Sequence, residues 1–134
     1  MTDDNRKANI RDELARADAA FLAAAALIPL GLHADAVSRA YYAVFHMLRA
    51  LAFARGIETR THSGIIHVFN TEFVRPGVFS SSHNRVLSGL QRSRELADYD
   101  AAVVFSEDDA RAELTAGKSF ADAARVWLVA EGWA

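Results

Sequence analysis

Ile10, Leu14, Ala17, Phe21, Ala24 and Ile28 recur at spacings of four and three, which winds all six onto one side of an α-helix. A second series, Val37, Tyr41, Val44, Leu48 and Leu51, does the same between residues 32 and 55, and Ala40, Ala43, Met47, Ala50 and Phe53 fill its flanks. A helix that is apolar over most of its circumference has to be surrounded, so this second helix is expected at the centre of a bundle. Composition points the same way. Of 134 residues, 27 are alanine against 7 glycines and 2 prolines, a balance that favours helix and argues against a β-rich fold.

The stop signals divide the chain into five segments. Pro29 and Gly31 end the first helix, expected over residues 5–28, and Gly56 ends the second at residue 55, where a left-handed cap costs glycine least. A shorter helix over 62–73 carries Ile65, Ile66, Phe69 and Phe73 and stops before Pro76, because the residue ahead of proline disfavours helical angles. Ser80, Ser81 and Ser82 are N-cap candidates for a fourth helix that runs to residue 98 with Val86, Leu87, Leu90, Arg94 and Ala97 along one side. Ser106 and Asp109 have capping-box spacing, and Ala110, Leu114, Gly117, Ala121, Ala124 and Leu128 form the last stripe, ending near residue 131. The expectation is a single all-α domain over 1–134, an antiparallel up-and-down bundle of four long helices plus one short one.

Several function classes fall away early. There is no cysteine, which excludes disulfides and thiolate metal sites. The histidines give no metal site either: His62 and His67 are five apart, while one helical face wants spacings of three or four, and His33, His46 and His83 stand alone. No metal and no cofactor are expected. The chain has no glycine-rich phosphate loop and no serine in a strand-turn-helix setting. Residues 1–10 are polar and the apolar run 19–30 is short of the ~20 residues of a membrane span, so a cytoplasmic, non-membrane protein is expected. With 15 Lys plus Arg against 17 Asp plus Glu, the net charge is −2, and any contact with a polyanion must come from a local basic patch.

Two such patches are present. Arg39, Tyr42, His46 and Arg49 are spaced three, four and three on the second helix and share a stripe able to face a phosphate, a base or another protein. The alternative is a surface stripe in which Tyr42 and His46 pack against a neighbouring helix. On the fourth helix, Arg85, Arg92, Arg94 and Tyr99 add positive charge, and Arg92 and Tyr99 lie two turns apart on one face. Here the alternative is an ordinary Arg94–Asp98 pair of a few tenths of a kcal/mol, with Tyr99 anchoring the helix end.

Four segments carry a family resemblance: SRAYYAVFH at 38–46, THSG at 61–64, FVRPG at 73–77 and RSRELADY at 92–99. In this order they resemble the short prokaryotic HEPN-domain proteins, over residues 35–127. The resemblance implies a helical bundle that forms homodimers and is paired with a minimal nucleotidyltransferase in a toxin–antitoxin-type module. Many such toxins are metal-independent ribonucleases whose motif is an arginine, a polar residue, a histidine some positions on and a tyrosine two residues later. Arg92, Ser93 and Tyr99 match it, and Ala97 stands where the histidine belongs. Alanine cannot move a proton, which counts against nuclease chemistry. The reading is a HEPN protein that binds RNA or nucleotide and a nucleotidyltransferase through Arg39, Tyr42, Arg49, His62, Ser93 and Tyr99. The alternatives are a ribonuclease using Arg92 with His46 or His62, and a noncatalytic scaffold. In some relatives the matching tyrosine is adenylylated, and Arg92, Tyr99 and His46 are expected to share one groove.

Overall fold

The computed structural model of the chain describes residues 2–134. Five α-helices make up most of them: α1 (Asp3–Leu27), α2 (His33–Ala54), α3 (His62–Phe69), α4 (Ser81–Tyr99) and α5 (Glu107–Ala130). No strand occurs among the described residues. Cross-contacts give the directions. Glu13 of α1 meets His46 and Arg49 of α2, Ser38 and Tyr41 of α2 meet Asp98 and Arg94 of α4, and Ser93 of α4 meets Glu113 of α5. The four long helices therefore run up, down, up and down, with short α3 as a side excursion.

Fifteen residues of α2 are buried, from Ala36 to Ala54, so the helix with the broadest apolar surface is the central one. The other helices bury one stripe each, as an amphipathic pattern requires. The α2 terminus is closed by Gly56 at φ 73°, with Gly56 N–H donating to the Phe53 carbonyl and Ile57 N–H to that of Ala52. These two bonds form the Schellman closure that a left-handed glycine permits. At the start of α5, the Ser106 hydroxyl accepts from Asp109 N–H while the Asp109 carboxylate accepts from Ser106 N–H, the reciprocal box that the spacing implies.

Two local details differ from the sequence expectation. The third helix is α-helical only to Phe69 and then widens into a π-helical turn, Asn70–Val74, with Arg75 N–H donating to the Asn70 carbonyl. An apolar spacing of four suits either winding, so the pattern Phe69–Phe73 could not reveal the change. Both rings still reach the core, 5.9 Å apart, and Phe73 meets Trp127 edge-on at 5.1 Å. Ser80 occupies the N-cap position of α4, but its hydroxyl pairs with that of Ser82 and makes no cap bond.

Gly117 is the small residue that lets α5 approach α2. A Cβ there would lie 3.2 Å from Val44 Cγ2 and 3.3 Å from Phe21 Cε1. Gly117→Leu is therefore expected to push α5 off α1 and α2 and lower unfolding stability by about 1–3 kcal/mol, measured by urea denaturation.

Candidate functional site

The functional side chains gather where α2, α3 and the end of α4 meet. Thr61 caps α3, its hydroxyl accepting from Gly64 N–H, and this places His62 at the first helical position. A Cβ on residue 64 would come within 2.6 Å of the Thr61 hydroxyl oxygen, so glycine keeps the turn closed. The His62 ring stacks on Phe45 at 4.4 Å and on Tyr41 at 5.4 Å between centroids. Tyr41, almost wholly buried, lies 2.6 Å through its hydroxyl from His62 Nδ1. Burial, and then the nearby Arg94 charge, hold the His62 imidazole below its ordinary pKa, while burial raises the Tyr41 phenol despite Arg94. Both shifts favour the neutral forms, a phenol and an imidazole sharing one hydrogen bond.

Arg94 closes the cluster. It is 8% exposed, and its guanidinium carbon lies 5.1 Å from the Tyr41 ring, 5.9 Å from Tyr42 and 5.9 Å from Tyr99. Asp98 offsets the charge at 3.5 Å and also accepts from the Ser38 hydroxyl at 2.8 Å. Arg94 Nε has no hydrogen-bond acceptor. With Arg92, Glu95, Leu96, Tyr99 and Asp100 it lines an open hollow of about 610 Å³. Arg92 makes no ion pair among the described residues, and Tyr99 is 79% exposed, so its ring does not anchor the helix end.

A second polar node ties α1 to α2. The buried Glu13 carboxylate receives His46 Nδ1 at 2.7 Å, Arg49 Nε at 3.2 Å and Arg16 at 3.4 Å. His46 lies, with Arg39 and Tyr42, in a groove against Arg16 and Ala19 of α1, away from the hollow of Arg92 and Tyr99. The expected meeting of His46 with Arg92 does not occur, because Glu13 draws the imidazole toward α1. Arg39 is exposed with its guanidinium 5.1 Å from the Tyr42 ring. Ser93 is likewise turned inward, donating to Glu113 of α5 at 2.9 Å. Of the residues picked from the sequence, Arg92 and Tyr99 share a hollow, Tyr42 and His62 border it through Arg94, and His46 and Arg49 belong to the Glu13 node.

The pattern approach passed over Glu13, Ser38 and Tyr41 as site residues and gave Arg94 only an i, i+4 partner. Arg94 did carry a signal: it falls on the buried stripe with Leu87 and Leu90, and a charge on an apolar stripe needs internal partners. No group of three or more His, Asp or Glu side chains gathers as a metal site among the described residues, nor is any described helix long and apolar enough to cross a membrane.

With this geometry in place, comparison with known proteins places the chain. The model of the HEPN domain matches residues 10–130, so the chain belongs to the HEPN family. A UPF0332 protein of Thermotoga maritima is 34% identical over 89 residues, 66% of this chain and 67% of that protein. Two Methanocaldococcus jannaschii proteins named as candidate toxins are 37% identical over 68 residues and 28% over 96. Those matches cover 51% and 72% of this chain, and 51% and 65% of the relatives' own length.

Removing Glu13 leaves Arg49 without its buried counter-charge and His46 without its hydrogen-bond partner. Glu13→Ala is expected to cost about 3 kcal/mol, read by chemical denaturation. The His62 shift has a definite sign. Its folded-state pKa lies below the ordinary 6.5, so the unfolded chain binds the proton more tightly and stability falls as pH drops through that window. His62→Phe, which keeps the stack on Phe45, should show a smaller loss of melting temperature than wild type between pH 7.5 and the acid side of this window; parallel curves would refute the assignment.

Proposed function

We propose that this HEPN protein binds RNA or a nucleotide in the hollow bordered by Arg92, Arg94 and Tyr99, as the noncatalytic partner of a minimal nucleotidyltransferase in a toxin–antitoxin-type module. The observation that carries this is Arg94. Its guanidinium keeps its charge at any working pH, is held by three tyrosine rings, and belongs to a side chain that lines an open hollow. A fixed planar cation of this kind suits phosphate oxygens, with Arg92 free beside it to add a second fork. Tyr99 offers an exposed ring on which a base can stack and a hydroxyl that a nucleotidyltransferase can reach. The toxin names of the archaeal relatives support the module, and Ala97 supplies no proton-transfer group at the motif position. A homodimer, as in the resembling proteins, would set two such hollows in one particle.

Titration of short RNA and of nucleoside monophosphates into wild type and Arg92→Ala tests the reading. Loss of one charge-assisted contact of about 1.5–3 kcal/mol should weaken binding tenfold or more. Equal affinities, or no binding by wild type, end it. Incubation with the partner transferase and ATP should label wild type and not Tyr99→Phe.

One observation favours a second reading, a metal-independent ribonuclease. The Tyr41–His62 pair joins a neutral imidazole to a phenol at 2.6 Å beside the Arg94 charge, and it can pass a proton where Ala97 cannot. With His46 engaged by Glu13, His62 is the histidine this reading uses. Cleavage by wild type that persists in EDTA and disappears in His62→Phe would replace the noncatalytic reading.

A further inference from the structure

A second hollow, of about 430 Å³, opens at the other end of α4 between that helix and the π-helical turn. Its walls are Ile66, His67, Asn70, Asn84, Arg85 and Ser88. Neither the family motif nor the Arg94 cluster includes any of them. Asn84 Nδ2 donates to Asn70 Oδ1 at 2.9 Å across the opening. That bond uses one of Asn84's amide hydrogens and Asn70's carbonyl, so the pair keeps the Asn84 carbonyl and further N–H groups available side by side. A paired acceptor and donor at this separation match a nucleobase edge. His67 is exposed beside the pair and presents a ring for stacking, and Ile66 gives an apolar wall. Arg85 is exposed and has no ion-pair partner among the described residues, and the α4 N-terminus adds its positive end to the same place.

The two hollows lie on one track. Arg85, Ser88, Arg92 and Tyr99 are all exposed on α4 and are spaced three, four and seven, so they form a single stripe from the Asn pair to the Arg94 cluster. Fourteen residues at 1.5 Å each separate Arg85 from Tyr99, about 21 Å. At 3.4 Å per nucleotide of a stacked strand this is about six nucleotides.

Building on the reading of the Arg94 hollow as a phosphate site, we propose that the ligand is a single RNA strand laid along α4. One base is held by Asn70 and Asn84, a phosphate by Arg85, and the strand reaches Arg92 and Tyr99 at its other end. A mononucleotide fills only one end of this track.

The test is a length series of single-stranded RNA, from mononucleotide through trimer and octamer to dodecamer, titrated into wild type, Asn84→Ala and Arg85→Glu at fixed salt, with melting curves confirming that each variant folds. Affinity for wild type should rise with length and level off near six to eight nucleotides. Both variants should bind the octamer about tenfold or more weakly and the mononucleotide as wild type does. Arg85→Glu, on the surface, keeps the test open if Asn84→Ala disturbs the turn. Equal wild-type affinity for mononucleotide and octamer, or octamer binding unchanged in both variants, overturns the track while leaving the Arg94 hollow intact. Absence of any binding by wild type at every length overturns the Arg94 reading itself, and the track with it.

Discussion

Beyond its first turn, His33 to Asp35, helix α2 leaves water little besides Arg39 and parts of Tyr42, His46 and Arg49. The remainder of its surface is enclosed by α1, α3, α4 and α5, and each large apolar side chain so buried contributes about 1.5–3 kcal/mol. That enclosure decides the arrangement of everything else. Four neighbours are needed to cover one helix on all sides, and the up-and-down path is the shortest way for a chain with links of five to seven residues to supply them. It also sets a condition on polar groups. A hydroxyl, imidazole or guanidinium near α2 has little water to turn to and must be matched from a neighbouring helix.

The three polar matches made on α2 are the places where chemistry can reside. Glu13 gathers His46 and Arg49 on the α1 side. Asp98 receives Ser38 and Arg94 on the α4 side. His62 meets Tyr41 on the α3 side. The first draws three side chains onto one carboxylate and ties α1 to α2. The other two merge, since Arg94 lies over the same Tyr41 that His62 engages, and Arg94 also lines the open hollow. Function is therefore best sought at the merged pair, where a fixed cation borders open space.

The arginines of α4 divide the work by depth. Arg94 is nearly buried and held by aromatic rings and a carboxylate. Arg92 and Arg85 are exposed cations on the adjoining stripe, of the kind that suits a polyanion. With a net charge of −2, the molecule as a whole offers a polyanion no positive field, and its exposed positive charge on α4 lies on this stripe.

The sequence by itself determined the helices, most of their ends and the central place of α2, because apolar spacing, glycine stops and the Ser106 box are local signals read from neighbouring residues. It also brought Arg92, Tyr99, Tyr42 and His62 to notice. It could not show that Phe69 and Phe73 span a change from α to π winding, since a spacing of four fits both. Nor could it show that His46 turns to Glu13, that Ser93 turns to Glu113, or that Arg94, and not Arg92, is the arginine set among the tyrosines. Those are decisions of tertiary structure. Periodicity gives the side of a helix on which a side chain sits, whereas its partner depends on which helix is packed there and on how deeply the pair is withdrawn from water. The 33 residues between Glu13 and His46, and the 53 between Tyr41 and Arg94, are brought together only when α2 is enclosed.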